Sequence, residues 1–206
     1  MSTVTRWWWV RHAPVPDGLD IVYGQRDLDA DCTDTHAFRA LAGILPANAV
    51  LVTSDLRRAT QTADAIRAAG LDVPAPLREP DLREQNFGDW QGMRNEAFAA
   101  LRDSMPPQSW RAPAFVRAPN GESFADLVSR AVPAIIRLSA DHAGRDIIAV
   151  AHGGTIRAAL SLALGLGPER ALAFSVVHLG VTQLDYITGL AEGEAWRVSG
   201  VNRPAY

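Results

Sequence analysis

The sequence predicts a three-layer α/β/α sandwich on a mostly parallel central sheet with an antiparallel edge. Three observations carry that expectation. Short β-rich runs alternate with helical stretches, the pattern of a parallel sheet covered on both faces. Two of the apolar runs end on a histidine: Trp7-Trp8-Trp9-Val10 before Arg11-His12, and Ile147-Ile148-Ala149-Val150-Ala151 before His152. The last two β-rich stretches follow each other closely, as an antiparallel pair allows.

The elements follow in order. Residues 6–11 read as a buried strand, with Trp7, Trp8 and Trp9 alternating across it as core side chains. Residues 13–34 read as a loop, with Pro14, Pro16, Gly18, Gly24 and many aspartates. A weak helical pattern covers 35–45. A β-branched run at 49–53 ends on Ser54-Asp55, which suits the N-cap of a helix over 56–69 stopped by Gly70. Residues 73–77 read as a short strand. An irregular stretch from 79 to 120 follows, the natural lid or specificity insert. Gly121-Glu122-Ser123 opens an amphipathic helix to about residue 140, which Pro133 should kink or split. A strand at 146–151, a helix at 155–164 ended by Gly165 and Gly167, and strands at 172–177, 181–187 and 195–201 complete the chain. The last two are expected to pair antiparallel. No repeat, low-complexity tract or linker interrupts the sequence, so residues 1–206 read as one domain.

Composition narrows the chemistry. The 206 residues carry a net charge of −3, with no electrostatic case for nucleic acid or a membrane surface. All 20 basic side chains are arginine, which excludes a Schiff-base lysine and the P-loop lysine. Arginine grips phosphate in a bidentate way. Cys32 is the one cysteine, so neither an intramolecular disulfide nor a thiolate zinc site is available. No signal peptide and no bilayer-spanning run is legible, and a soluble, cytoplasmic protein is expected. Self-association as a homodimer stays open.

Two histidines at the ends of two strands become neighbours if the strands share a sheet, and open α/β sheets bind ligands at strand carboxyl ends. Arg57 and Arg58 stand in the first turn of the helix after a strand, where an anion is already favoured. Taken alone they also read as an exposed pair. Glu84 lies in a Gly- and aromatic-rich loop, where a carboxyl can sit half-buried.

These segments together resemble a known family. Arg11-His12, Ser54-Asp55-Leu56-x-Arg58-Ala59-x-Gln61-Thr62-Ala63, Leu82-x-Glu84-x-x-Phe87-Gly88-x-Trp90-x-Gly92, Gly121-Glu122-Ser123 and His152-Gly153-Gly154-x-x-Arg157 are similar to motifs of the histidine phosphatase superfamily, phosphoglycerate mutase-like, in order and spacing from about residue 6 to 187. The resemblance implies a phosphoglycerate mutase-like fold and a histidine acid phosphatase-type phosphomonoester hydrolase acting on a small phosphorylated metabolite. It implies His12 as nucleophile through a phosphohistidine, with Arg11, Arg58 and His152 holding the phosphoryl oxygens. Glu84 would be the proton donor and then the base for water. Gly153, Asp17, Tyr23 and Gln25 would complete the substrate-binding set, with no metal and no cofactor. Several fixed positive donors around the equatorial oxygens suit phosphoryl transfer.

Within the family the length favours the compact phosphatases, similar to α-ribazole phosphatases, over mutase-type phosphoryl transfer. The chain departs from the pattern at Ala13, where a glycine is usual, and at Pro14, where a polar residue is common. Alanine fits there if φ is negative and its methyl leaves room for phosphate. A phospho-ligand-binding module without turnover is the reading those departures favour. A histidine-ligated metallohydrolase lacks its His-Glu-x-x-His motif. His178 ends a predicted strand near the expected pocket. Trp110, Arg111 and Arg117 fall in the possible lid, and Arg157 should support the helix after His152.

Overall fold

The computed structural model describes residues 2–104, 114–191 and 193–205. Trp110 and Arg111 lie outside the described residues. Strand β1 (Thr3–Arg11) runs through the middle of a six-stranded sheet. The other strands are β2 (Val50–Thr53), β3 (Leu77–Arg78), β4 (Asp146–Ala151), β5 (Val181–Leu190) and β6 (Gly193–Arg203). Their order is β3-β2-β4-β1-β5-β6. The first four run parallel, while β5 and β6 close one side antiparallel. The expected mostly parallel sheet with an antiparallel edge is what forms.

Helices α1 (Thr35–Ile44) and α2 (Arg57–Ala68) cover one face; α4 (Phe124–Asp141) and α5 (Gly153–Leu164) cover the other. The period-two alternation of strand side chains makes both layers at once. Trp7, Trp9, Ile147 and Ala149 pack under α4 and α5, whereas Val10, Ile148 and Val150 pack under α1 and α2. The indoles of Trp7 and Trp9 stack at 4.8 Å, and Trp7 Nε1 donates to Ser139 on α4. The tryptophan run is core, as its alternation predicts, and removing either buried ring is worth about 3–5 kcal/mol.

Four local expectations change. The strand expected at 73–77 is only β3, paired to β2 through Val52 and Thr53. Pro133 lies inside α4, which runs on as one helix, because Pro133 and Ser129 are exposed and the carbonyl freed at Ser129 is open to water. Residues 172–177 are not a strand: after the short helix α6 (Pro168–Ala171), the carbonyls of Phe174 and Val176 accept from Arg157 and Arg11 instead of from a neighbouring strand. The stretch 79–120 is not wholly irregular, for it contains α3 (Asn95–Asp103). Among the described residues no helix is long and apolar enough to cross a membrane.

Candidate active site

The sheet register builds the site. Arg11 lies beside Ala151 in the parallel β1–β4 pair, so His12 and His152 leave the sheet side by side. Their ring centroids are 5.1 Å apart and both are buried. The antiparallel pairing of β1 with β5 brings the start of β5 to the same end. It delivers a third imidazole, His178, with its centroid 5.0 Å from that of His12.

His12 is held by its own chain. Its Nδ1 donates to the carbonyl of Ala13 at 2.7 Å, which leaves Nε2 as the lone-pair nitrogen. Burial pushes His12 well below its ordinary pKa, and the charge of Arg58 adds to that. The ring is therefore neutral at neutral pH. Ala13 is buried, is not among the residues with positive φ, and donates its N–H to Thr62 on α2. The backbone here suits alanine, so the departure at Ala13 carries no conformational strain.

The two arginines that open α2 separate. Arg57 faces solvent and pairs with Asp29 at 2.5 Å. Arg58 is 0% exposed and donates to the carbonyls of Gly24 and Arg26, at 2.6 and 2.9 Å. Burial lowers its pKa, yet a guanidinium keeps its charge at neutral pH. A buried cation bonded to neutral carbonyls is costly unless an anion joins it. Three buried nitrogens in this cluster, Nε of Arg11, Nε of Arg58 and Nδ1 of His152, have no protein partner. Converging unpaired donors of this kind suit an oxyanion.

Ser54 plays a part its sequence did not suggest. It does not cap α2, whose N-cap is Leu56 without a side-chain bond. Its hydroxyl lies 2.7 Å from Nε2 of His152 and accepts a long contact from the Leu56 N–H at 3.4 Å. Assigned as the donor, the hydroxyl gives its hydrogen to Nε2. That assignment places the His152 proton on Nδ1, the unpartnered nitrogen. Burial and Arg58 hold His152 far below its ordinary pKa as well.

Glu84 sits at the N-terminus of α5, accepting from the Gly154 N–H at 3.1 and 3.2 Å and from the Gln85 N–H at 2.9 Å. A Cβ on Gly154 would lie 2.2 Å from Glu84 Oε1, so only glycine permits this seat. Arg83 grips Asp55 through both nitrogens of its fork, tying the Glu84 segment to the β2–α2 turn. Gln25 donates to the Glu84 carbonyl at 2.9 Å.

The remaining sequence candidates divide. Tyr23 stands edge-on to His12 at 6.4 Å, with the Arg58 guanidinium 5.0 Å from its ring centre. Gly153 opens α5, where a Cβ would meet Arg157 at 3.2 Å and Arg11 at 3.8 Å. Asp17 is exposed on the turn Pro16–Gly18, and no described hydrogen bond joins it to the cluster. Arg117 is exposed and pairs with Asp126. Arg157 holds the Phe174 carbonyl and lines a cavity of about 180 Å³ beside Glu84. Phe87, Trp90, Phe98 and Arg102 share that wall, with Phe98 packed on Phe87 and Trp90 at 5.9 and 5.6 Å. Phe98 and Arg102 lie one helical turn apart on α3. Among the described residues, no group of three or more His, Cys, Asp or Glu is arranged to hold a metal ion.

Sequence reasoning missed Ser54 as a histidine partner, Gly154 as the seat of Glu84, and Thr62 as the acceptor for Ala13. For Gly154 a signal existed, the second glycine of a pair at a helix start.

The neutral imidazoles predict acid sensitivity. His12, His152 and His178 all have lowered folded pKa values, against an ordinary value of 6.5. Below about 6.5 the unfolded chain binds protons that the fold resists. Stability is therefore full above that pH and falls as pH drops toward the folded values. Each ring contributes a slope of about 1.4 kcal/mol per pH unit within its window. The window of His178 closes at about 4, where burial first and Arg11 second have moved it. Denaturant midpoints measured across that range should fall with acid, and His178→Asn should remove about one proton from the slope. An unchanged slope would mean that His178 is not held neutral.

The family described as the histidine phosphatase superfamily (branch 1) matches residues 7–199. A bifunctional protein of Mycobacterium tuberculosis is 34% identical over 159 residues, which cover 77% of this chain and 42% of that protein. The chain thus spans less than half the length of the first curated relatives it matches. A glucosyl-3-phosphoglycerate phosphatase of Mycolicibacterium vanbaalenii is 36% identical over 155 residues, covering 69% of this chain and 67% of that one. The native structure of a mycobacterial glucosyl-3-phosphoglycerate phosphatase superposes with a TM-score of 0.78 at 28% identity, over 97% of this chain and 99% of that one. The α-ribazole phosphatase of Shigella flexneri superposes with a TM-score of 0.75 at 24% identity, over 97% of this chain and 96% of that one, a likeness of fold.

Proposed function

The chain belongs to branch 1 of the histidine phosphatase superfamily, and from that premise we propose that it hydrolyses a small phosphomonoester through a phosphohistidine on His12. One observation carries the reading: a buried, neutral imidazole whose Nδ1 is tied to the Ala13 carbonyl, ringed by unpartnered N–H donors of Arg11, Arg58 and His152. In the first step His12 Nε2 attacks phosphorus, the bond to the leaving oxygen breaks, and Glu84 gives that oxygen its proton. In the second, water attacks the phosphohistidine and loses a proton to Glu84. The P–N bond breaks and phosphate leaves with the enzyme restored. The covalent intermediate divides one hard displacement into two. In both steps the arginines balance charge on the equatorial oxygens and the neutral His152 donates a hydrogen bond to one of them.

The leaving group we assign to the cavity beside Glu84 carries a sugar ring. Aromatic faces suit the C–H faces of a sugar, and Arg102 suits an anionic substituent. The insert at 79–120 then acts as the specificity segment, and the cytoplasm is the compartment in which a small metabolite of this kind meets the enzyme. The names of the glucosyl-3-phosphoglycerate phosphatase relatives support that substrate class more than α-ribazole.

The test is steady-state hydrolysis of an aryl phosphate from mildly acidic to neutral pH with chelator present. Glucosyl-3-phosphoglycerate and 3-phosphoglycerate are compared next. Chelator-resistant turnover with a clear preference for the glucosylated ester is expected. Binding of phosphate without any turnover would replace this reading by that of a phospho-ligand-binding module.

A further inference from the structure

His178 is the one imidazole of the cluster that the mechanism above does not use. It is anchored on one side: its Nδ1 donates to the His12 carbonyl at 2.8 Å, so the nitrogen left to meet a ligand is Nε2. Leu179, the next residue, has φ of +59°, a conformation that a leucine adopts at a cost. The bonds from Leu179 N–H to the Arg11 carbonyl and from Gly180 N–H to the Val177 carbonyl hold it there. His178 also differs from His12 and His152 in access. It is half-buried and lines a second cavity, of about 440 Å³, with Pro14, Asp31, Asp34 and Leu179. Its ring therefore borders the buried cluster and has its own route for a proton from solvent.

We propose that His178 is a proton-linked ligand of the bound phosphoryl group, neutral while no anion is present and protonated when one enters, so that each binding event takes up one proton from solvent. The proposal rests on the anion site of the phosphatase reading. The groups facing His178 set the sign. Burial opposes its protonation most, then Arg11 from β1 and Arg58 from α2, and together they leave it at about 4. His12 is neutral and adds a carbonyl acceptor at Nδ1. Asp31 and Asp34, from the loop before α1, share the outer cavity. A dianion between the arginines and the imidazoles cancels the repulsion from Arg11 and Arg58 and adds attraction of its own, and an opposite charge at that range favours the cation. The third imidazole then donates from Nε2 to a phosphoryl oxygen, while Nδ1 keeps its bond to the His12 carbonyl.

Sulfate is the probe, because it stays dianionic from mildly acidic to neutral pH and brings no proton change of its own. Calorimetric titration of the full chain in buffers of different ionisation enthalpy reads the protons taken up. The wild type should take up about one proton near pH 6, with sulfate affinity falling about tenfold per pH unit through that range. His178→Asn keeps a donor that cannot titrate, and its uptake and pH slope should be near zero. Sulfate binding by the wild type without proton uptake overturns the proposal and leaves the phosphatase reading to the turnover assay. Undiminished uptake in His178→Asn also overturns it, by moving the proton to His12 or His152. No sulfate binding by the wild type removes the anion site and the phosphatase reading with it. Should the variant not fold, imidazole ¹⁵N resonances of the wild type decide. Sulfate must convert one ring, bonded through Nδ1, to the cation, and the absence of that conversion refutes the assignment.

Discussion

Replacing His12 with alanine is expected to lower aryl phosphate turnover by about 10⁴-fold or more, the scale on which removing a nucleophile acts. The reason is particular to this ring. It is the imidazole fixed at Nδ1 by the adjacent carbonyl and held neutral by burial and Arg58. His152 cannot stand in for it, because its Nε2 is engaged by Ser54 and its remaining nitrogen carries the proton. His178 is tied at Nδ1 to a carbonyl in the same way, but it is half-buried at the border of the cluster, where His12 is enclosed by it. Wild type quenched during turnover should hold an acid-labile, alkali-stable phosphoryl label that His12→Ala lacks. Phosphate should still bind the variant, since Arg11, Arg58 and His152 keep their unpartnered donors. Turnover retained in His12→Ala would show that another group, or water directly, attacks phosphorus. Some stability should be lost as well, since the Ala13 carbonyl loses its partner, at about 1–3 kcal/mol for a buried group left unsatisfied.

The parts of this site that the sequence announces are those a strand end specifies. An apolar run that stops on a histidine marks where a buried strand leaves the sheet. Two such runs in one parallel sheet must stop near one another, and His12 and His152 do. Arg58 was legible as a cation at a helix start, though not its separation from Arg57, which depends on which side of α2 faces the carbonyls of Gly24 and Arg26. What stayed hidden depends on long-range partners. Residues 172–177 look like a strand locally, and become an irregular segment because two arginines claim its carbonyls. Ser54 looks like a cap, and becomes the partner of His152 because β2 and β4 are neighbours. His178 arrives through an antiparallel strand whose register no local pattern reveals. Pro133 misleads in the opposite sense, since the helix around it is long, amphipathic and open to water at the broken bond.

Gly154→Ala should cost nearly as much activity as Glu84→Gln, and the two should fail in the same way although only one removes a carboxyl. A methyl on Gly154 would lie 2.2 Å from Glu84 Oε1, and 3.0 Å from a Leu127 methyl behind it, so the carboxyl must leave its seat. Helix α5 has little room to retreat, for Thr155 is anchored by its hydroxyl to the carbonyls of Leu82 and Arg83, on the segment that carries Glu84. Loss of a positioned general acid and base costs about 10²–10⁴-fold. The size should depend on the leaving group. An aryl oxide that departs without help needs no proton from Glu84, so its phosphorylation step should survive in both variants. A sugar or alkyl alcohol does need one, and its turnover should fall by the full factor. With the aryl ester the second step then becomes limiting, since water has lost its base, and phosphohistidine should accumulate in both variants above the wild-type level. Leu127→Ala added to Gly154→Ala opens space behind the methyl without touching Glu84, and should recover part of the loss if displacement is the cause. Equal loss for aryl and alkyl esters, with no accumulated phosphohistidine, would mean that Glu84 supports the fold of its loop and transfers no proton.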